Sequence, residues 1–71
     1  SFLQIDAEGY DDEVIKNSSL EKYKFQFINY KFKNLSEERL GKLHNFLQQN
    51  GYEIIRWRKT DELAYLVKLD E

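Results

Sequence analysis

The chain has 71 residues, no Cys, no Pro, one His and a formal net charge of −2. That length makes one small domain that buries only about 60% of its unfolded surface. With no disulfide and no multi-histidine metal site it depends on apolar packing, much of it from five Phe, five Tyr and one Trp. Interspersed acids and bases argue against a phosphate-binding surface, so nucleic acid is not an expected partner. No run approaches the roughly 18 apolar residues of a membrane span. Residues 1–5 lack the basic flank and apolar core of a signal peptide, and the missing cysteines fit a reducing, cytoplasmic setting.

Residues 2–6 (FLQID) read as a strand. Gly9 fits a tight turn that needs positive φ. Residues 11–17 read as a short helix, with Asp11, Asp12 and Glu13 in the first turn, where carboxylates complement the N-terminal dipole. Val14 and Ile15 would face the core. Residues 25–32 (FQFINYKF) read as a central strand: Phe25, Phe27 and Asn29 point one way, and Gln26, Ile28, Tyr30 and Phe32 the other, so both faces carry large apolar groups.

Residues 37–50 have the clearest periodicity. Ser36 is a good N-cap, Leu40, Leu43 and Leu47 follow helical spacing, and Phe46 widens the stripe. Asn50-Gly51 ends the helix, with Gly51 suited to the left-handed position. His44, with no second His and no Cys, reads as a partly buried or interfacial histidine and not a metal ligand. Residues 52–58 (YEIIRWR) and 63–69 (LAYLVKL) read as strands joined by the polar linker 59–62. The order β-α-β-α-β-β predicts an α/β domain whose first strands are parallel, with right-handed crossovers, and whose last two form an antiparallel hairpin.

Ile5-Asp6-Ala7-Glu8-Gly9-Tyr10-Asp11 followed by Glu13-Val14-Ile15-Lys16 resembles the "I-D-x-E-G-x-(D/E)-x-E-V-L-K" segment of FkbM-type S-adenosylmethionine-dependent methyltransferases. The likeness continues through Phe27-Ile28-Asn29-Tyr30, Leu35-Ser36, Asn50-Gly51-Tyr52 and the final hairpin, and so covers essentially the whole chain. It implies the C-terminal half of a Rossmann-like methyltransferase sheet: a four-stranded mixed sheet in the order 1-2-4-3, with strand 4 antiparallel. In that family the cofactor is held mainly by a glycine-rich loop in the N-terminal half. This chain has the isolated Gly9, Gly41 and Gly51 instead, and carries Lys31 where relatives more often have an acid. The resemblance therefore implies a truncated or separately encoded piece with no independent catalysis. It would have no cofactor alone, and S-adenosylmethionine if a complementary N-terminal half is present. The substrates implied are hydroxyl groups of small molecules or sugars.

Asp6 and Glu8, at a strand end, are the candidate catalytic carboxylates, set against the alternative that Asp6 caps a turn and Glu8 is solvated. Gly9, Tyr10, Asn29, Tyr30 and Lys31 would line the same crevice near substrate or cofactor. Lys31 would pair with Asp6 or Glu8, a contact worth about 0–1 kcal/mol if exposed. The interleaved bases and aromatics of 23–33 and 56–59 suggest an alternative from another class, a protein- or RNA-interaction module. Residues 2–6 would be an exposed edge strand. Phe2, Leu3 and Ile5 would then lose cover on at least one face, and the edge would support self-association or docking of a complementary half.

Overall fold

In a computed structural model, which describes residues 2–18, 20 and 24–67, the chain runs β1 (Phe2–Gln4), α1 (Asp11–Lys16), β2 (Phe27–Lys31), α2 (Glu37–Gln49), β3 (Tyr52–Arg56) and β4 (Asp61–Leu66). The strands form one sheet in the order β1-β2-β4-β3. β1 and β2 are parallel, and β4 is antiparallel to both β2 and β3, which makes β3 parallel to the first two. This is the expected α/β topology, with β2 central and β1 at an edge.

Strand register sorts the side chains into two faces. Leu3, Ile28, Ala64 and Ile54 are neighbours across all four strands, and α1 and α2 pack together over this face. Ile5, Ile15, Leu20, Ile28, Tyr30, Leu35, Leu43, Leu47, Tyr52 and Ala64 form the core between helices and sheet. Phe2, Phe27, Tyr65 and Glu53 form a row across the other face, and Gln4, Asn29, Leu63 and Ile55 form the next. No described helix covers that face, and Phe2, Phe27, Ile55 and Trp57 are exposed on it. Strands of a parallel sheet are ordinarily covered on both sides; here the described helices cover one side only.

Several expected boundaries move. β1 stops at Gln4, although the Ile5 N–H still donates to the Asn29 carbonyl at 3.0 Å. The chain then turns through Glu8 (φ 49°) and Gly9 (φ 99°). β2 is shorter than the expected 25–32, and β3 ends two residues before Arg58. β4 begins at Asp61, so the last two residues of the expected linker lie inside a strand; residues 68 and 69 lie outside the described residues. The reason is that Asp61 and Glu62 are buried on hydrogen-bonding partners, which polarity alone does not reveal. Val14 is exposed and Ile15 alone of that pair is buried. Ile5 is also buried under the helices, so the edge position uncovers Phe2 but not Ile5.

α2 follows its sequence signals. Ser36 Oγ accepts from the Arg39 N–H at 3.1 Å, and Gly51 has φ 92° just past the last turn. Tyr52 is buried, with its hydroxyl donating to the Phe25 carbonyl at 2.5 Å.

Candidate functional site

Because β1, β2 and β3 are parallel, their C-terminal ends meet at one end of the sheet, together with the start of β4. Loop 5–10, residues 29–31 and the turn 57–60 therefore converge there. Asp6 and Glu8 are both exposed, and neither has a hydrogen-bond or ion-pair partner among the described residues. The Tyr10 N–H closes the turn onto the Ala7 carbonyl at 3.2 Å. Tyr10 is exposed, with the Arg39 guanidinium carbon 5.9 Å from its ring centroid, at the outer limit of a cation–π contact. Gly9 is required for its φ; a Cβ there would meet nothing closer than the Asn34 carbonyl at 3.8 Å.

What holds this loop is Asp11, and sequence reasoning gave it a different role. It is fully buried; one carboxylate oxygen accepts the Ala7 N–H at 3.0 Å and the other the Lys31 N–H at 2.9 Å. The carboxylate thereby ties the Asp6–Gly9 turn to the end of β2. Asp12, also buried, takes the Arg39 guanidinium from α2 in a two-point pair, and its Oδ1 also accepts the Glu13 N–H. Burial pushes the Asp12 carboxyl upward, but the Arg39 hydrogen bonds and charge, the Glu13 N–H and the Lys16 charge outweigh it, so its pKa lies below the ordinary value.

The expected trio Asn29, Tyr30 and Lys31 divides between the two faces, as strand alternation requires. Asn29 is 2% exposed on the uncovered face. Its Nδ2 donates to Asp61 Oδ2 at 2.7 Å, and its Oδ1 accepts from Trp57 Nε1 at 2.8 Å. The indole N–H can only donate, which fixes the amide's orientation. Lys31 lies on the same face, but its Nζ is 3.9 Å from Asp61 and does not reach Asp6 or Glu8. That corrects the expected pairing: Asp61 faces Lys31 directly across β2 and β4. Hydrogen bonds from Thr60 and Asn29, together with the Lys31 and Arg58 charges, lower the Asp61 pKa against the opposing effect of burial.

Tyr30 does not line the crevice. It points under the helices, fully buried, and donates to Glu62 Oε1 at 2.9 Å. His44 Nε2 is 2.7 Å from the same oxygen, and Arg56 Nε and Nη2 reach Oε2 at 3.1 and 2.9 Å. Arg56 also lies 3.8 Å over the Phe32 ring. Burial, then the Glu62 charge and hydrogen bond, raise the Tyr30 pKa far above its ordinary value. This cluster is a structural junction of β2, α2, β3 and β4.

Asp61, Glu62 and Trp57 were missed as site residues. Period-2 alternation run backwards from Leu66 through Ala64 reaches Glu62 on the core face, a signal that an acidic residue makes easy to discard. Among the described residues, no group of three or more His, Cys, Asp or Glu gathers to hold a metal ion, and no helix is long and apolar enough to cross a membrane. Two surface hollows, one beside Gln48, Gly51 and Ile54 and one beside Gln26, Phe27 and Tyr65, sit at the opposite end of the sheet from loop 5–10. No family model, no curated protein and no solved structure matches this chain.

Proposed function

We propose that the chain is the C-terminal half of an FkbM-type methyltransferase unit, without catalysis of its own, acting when a complementary half joins along β1. The observation that carries this is the topology. A parallel β1-β2 pair with an acidic turn after β1, closed by an antiparallel hairpin in the order β1-β2-β4-β3, matches the half-sheet that the sequence resemblance implies.

The residues present do not fit S-adenosylmethionine by themselves. The positive-φ glycines, Gly9 and Gly51, stand at opposite ends of the sheet, and neither belongs to a glycine-rich cradle. The chain offers Asp6 and Glu8, two exposed carboxylates with no partner among the described residues, on a turn fixed by Asp11, as groups that orient a substrate hydroxyl or take its proton. The test is an NMR titration. S-adenosylmethionine added to the chain alone leaves residues 6–10 unmoved; added with a glycine-rich N-terminal half from an FkbM-type enzyme, it shifts them. Absence of any shift in the mixture sinks the reading.

A second reading, an interaction module for protein or RNA, draws on the uncovered face with its exposed Phe2, Phe27, Ile55 and Trp57. Of the aromatic-basic segments, Tyr30 is buried, Phe25 and Phe32 are half-buried, and Tyr23 lies outside the described residues. Single-stranded RNA added at low and high salt discriminates: phosphate binding must weaken with salt.

A further inference from the structure

The geometry points to Trp57 as the stacking surface for a pyranose ring at the end of the sheet that carries loop 5–10. Trp57 directly follows the last residue of β3, so it leaves the sheet beside the C-terminal ends of β1 and β2. β3 and β2 are separated by β4, a gap of about 10 Å at ordinary strand spacing. The Trp57 Nε1–H nevertheless reaches Asn29 on β2, at 2.8 Å. The indole must therefore extend across β4, on the face that no described helix covers.

Three features make this ring a platform and not an ordinary exposed tryptophan. Its edge is anchored through a buried chain: Asn29 is held by Asp61, and Asp61 by the Thr60 hydroxyl at 2.5 Å. Despite the anchor, the residue stays 46% exposed. A ring face already takes a stacking partner, the Arg58 guanidinium at 4.2 Å, an exposed contact that a ligand ring can replace.

The surroundings select the ligand class. Lys31 is partly exposed, Thr60 is half-buried, and Gln4 and Asp6 are exposed on β1 and its loop. A flat apolar surface with a rim of donors and acceptors suits a ring with a C–H face and hydroxyls around its edge. It offers no closed slot for a purely apolar molecule. Taking this ring as the methyl acceptor rests on the methyltransferase reading; the binding itself does not.

The chain has a single Trp, so its indole N–H gives one resonance in a nitrogen-labelled sample. Methyl glucopyranoside and methyl galactopyranoside are titrated against sorbitol, an open-chain polyol. We expect a saturable shift of the indole N–H and the Asn29 side-chain amide with at least one pyranoside, in the millimolar range, and none with sorbitol. Trp57→Ala is expected to abolish the response of the Asn29 amide. Trp57→Phe keeps a ring but loses the anchor, and should weaken binding about tenfold; it decides the matter if the alanine variant fails to fold. No saturable shift with either pyranoside, an equal shift with sorbitol, or unchanged affinity in Trp57→Phe overturns the proposal. Parallel titration of S-adenosylmethionine with the complementary half separates the two readings. A pyranoside response without a cofactor response sinks the methyltransferase and leaves the platform; the reverse sinks the platform.

Discussion

Asp11 and Asp12 are adjacent in sequence and serve different elements. Both were expected in the first turn of a helix, where carboxylates complement the dipole, and both lie there; their burial is what the local sequence does not show. Besides the nearby N–H groups of Ala7 and Glu13, their partners are the backbone N–H of Lys31 and the guanidinium of Arg39, 20 and 27 positions away, and nothing local announces those two. The turn after β1, with positive φ at Gly9, was legible because strand, turn and glycine follow one another directly. Asp12 yields a pH-dependent prediction. Its folded pKa is lowered, so its pairing contributes fully above the unfolded value of about 3.9 and fades as pH falls through the lower folded value. Asp12→Asn leaves one Arg39 contact facing an amide N–H, and should cost about 1–3 kcal/mol at neutral pH. The substituted amide does not titrate, so the gap between the two proteins should narrow in acid below that range. Urea unfolding at several pH values measures it; a gap that stays constant down to pH 2 would show that the carboxylate charge is not what matters.

At the scale of elements, α2 and β4 differ in how local their determinants are. α2 was expected over 37–50 and spans Glu37–Gln49, because cap, leucine spacing and terminal glycine are all local. β4 was expected from residue 63 and starts at Asp61. Its first two residues are acids whose burial is made tolerable by Asn29, Thr60, Tyr30, His44 and Arg56, contributed by β2, the turn before β4, α2 and β3. Glu62 is the point where those elements meet. Glu62→Gln keeps the shape but replaces one acceptor oxygen with an N–H₂ that must face Arg56 or the Tyr30 and His44 side. We expect a loss of about 1–3 kcal/mol, together with large chemical-shift changes at His44 and Tyr30. Full retention of stability, with unmoved His44 resonances, would mean that the four elements are joined by apolar packing alone.

For the whole molecule, a two-layer arrangement makes the two sides of the sheet behave differently. On the helix side Tyr30 and Tyr52 are held neutral, Tyr30 by burial and then by Glu62, Tyr52 by burial. Their folded pKa values are raised, so the stability they confer is complete below the unfolded value of about 10 and is lost as pH rises beyond it, where the unfolded chain ionises and the folded one resists. Tyr30 phenolate absorbance should therefore appear together with the loss of helical circular dichroism; ionisation of every tyrosine without unfolding would contradict the packing. The edge of the sheet carries the test of the proposed assembly. Successive amides of a strand point to opposite sides. The Ile5 N–H reaches the Asn29 carbonyl, so the Gln4 N–H must point outward from β1, where the order β1-β2-β4-β3 places no strand. In dilute solution Gln4 should exchange its amide hydrogen much faster than Ile5, because opening is not needed to expose it. A glycine-rich complementary half that adds a strand along β1 should slow Gln4 and leave Ile5 nearly unchanged, whereas covering the open face by any other means leaves Gln4 fast. Protection of Gln4 in the isolated chain that rises with its concentration would mean that a second copy already pairs along β1, and that the edge is used for self-association instead.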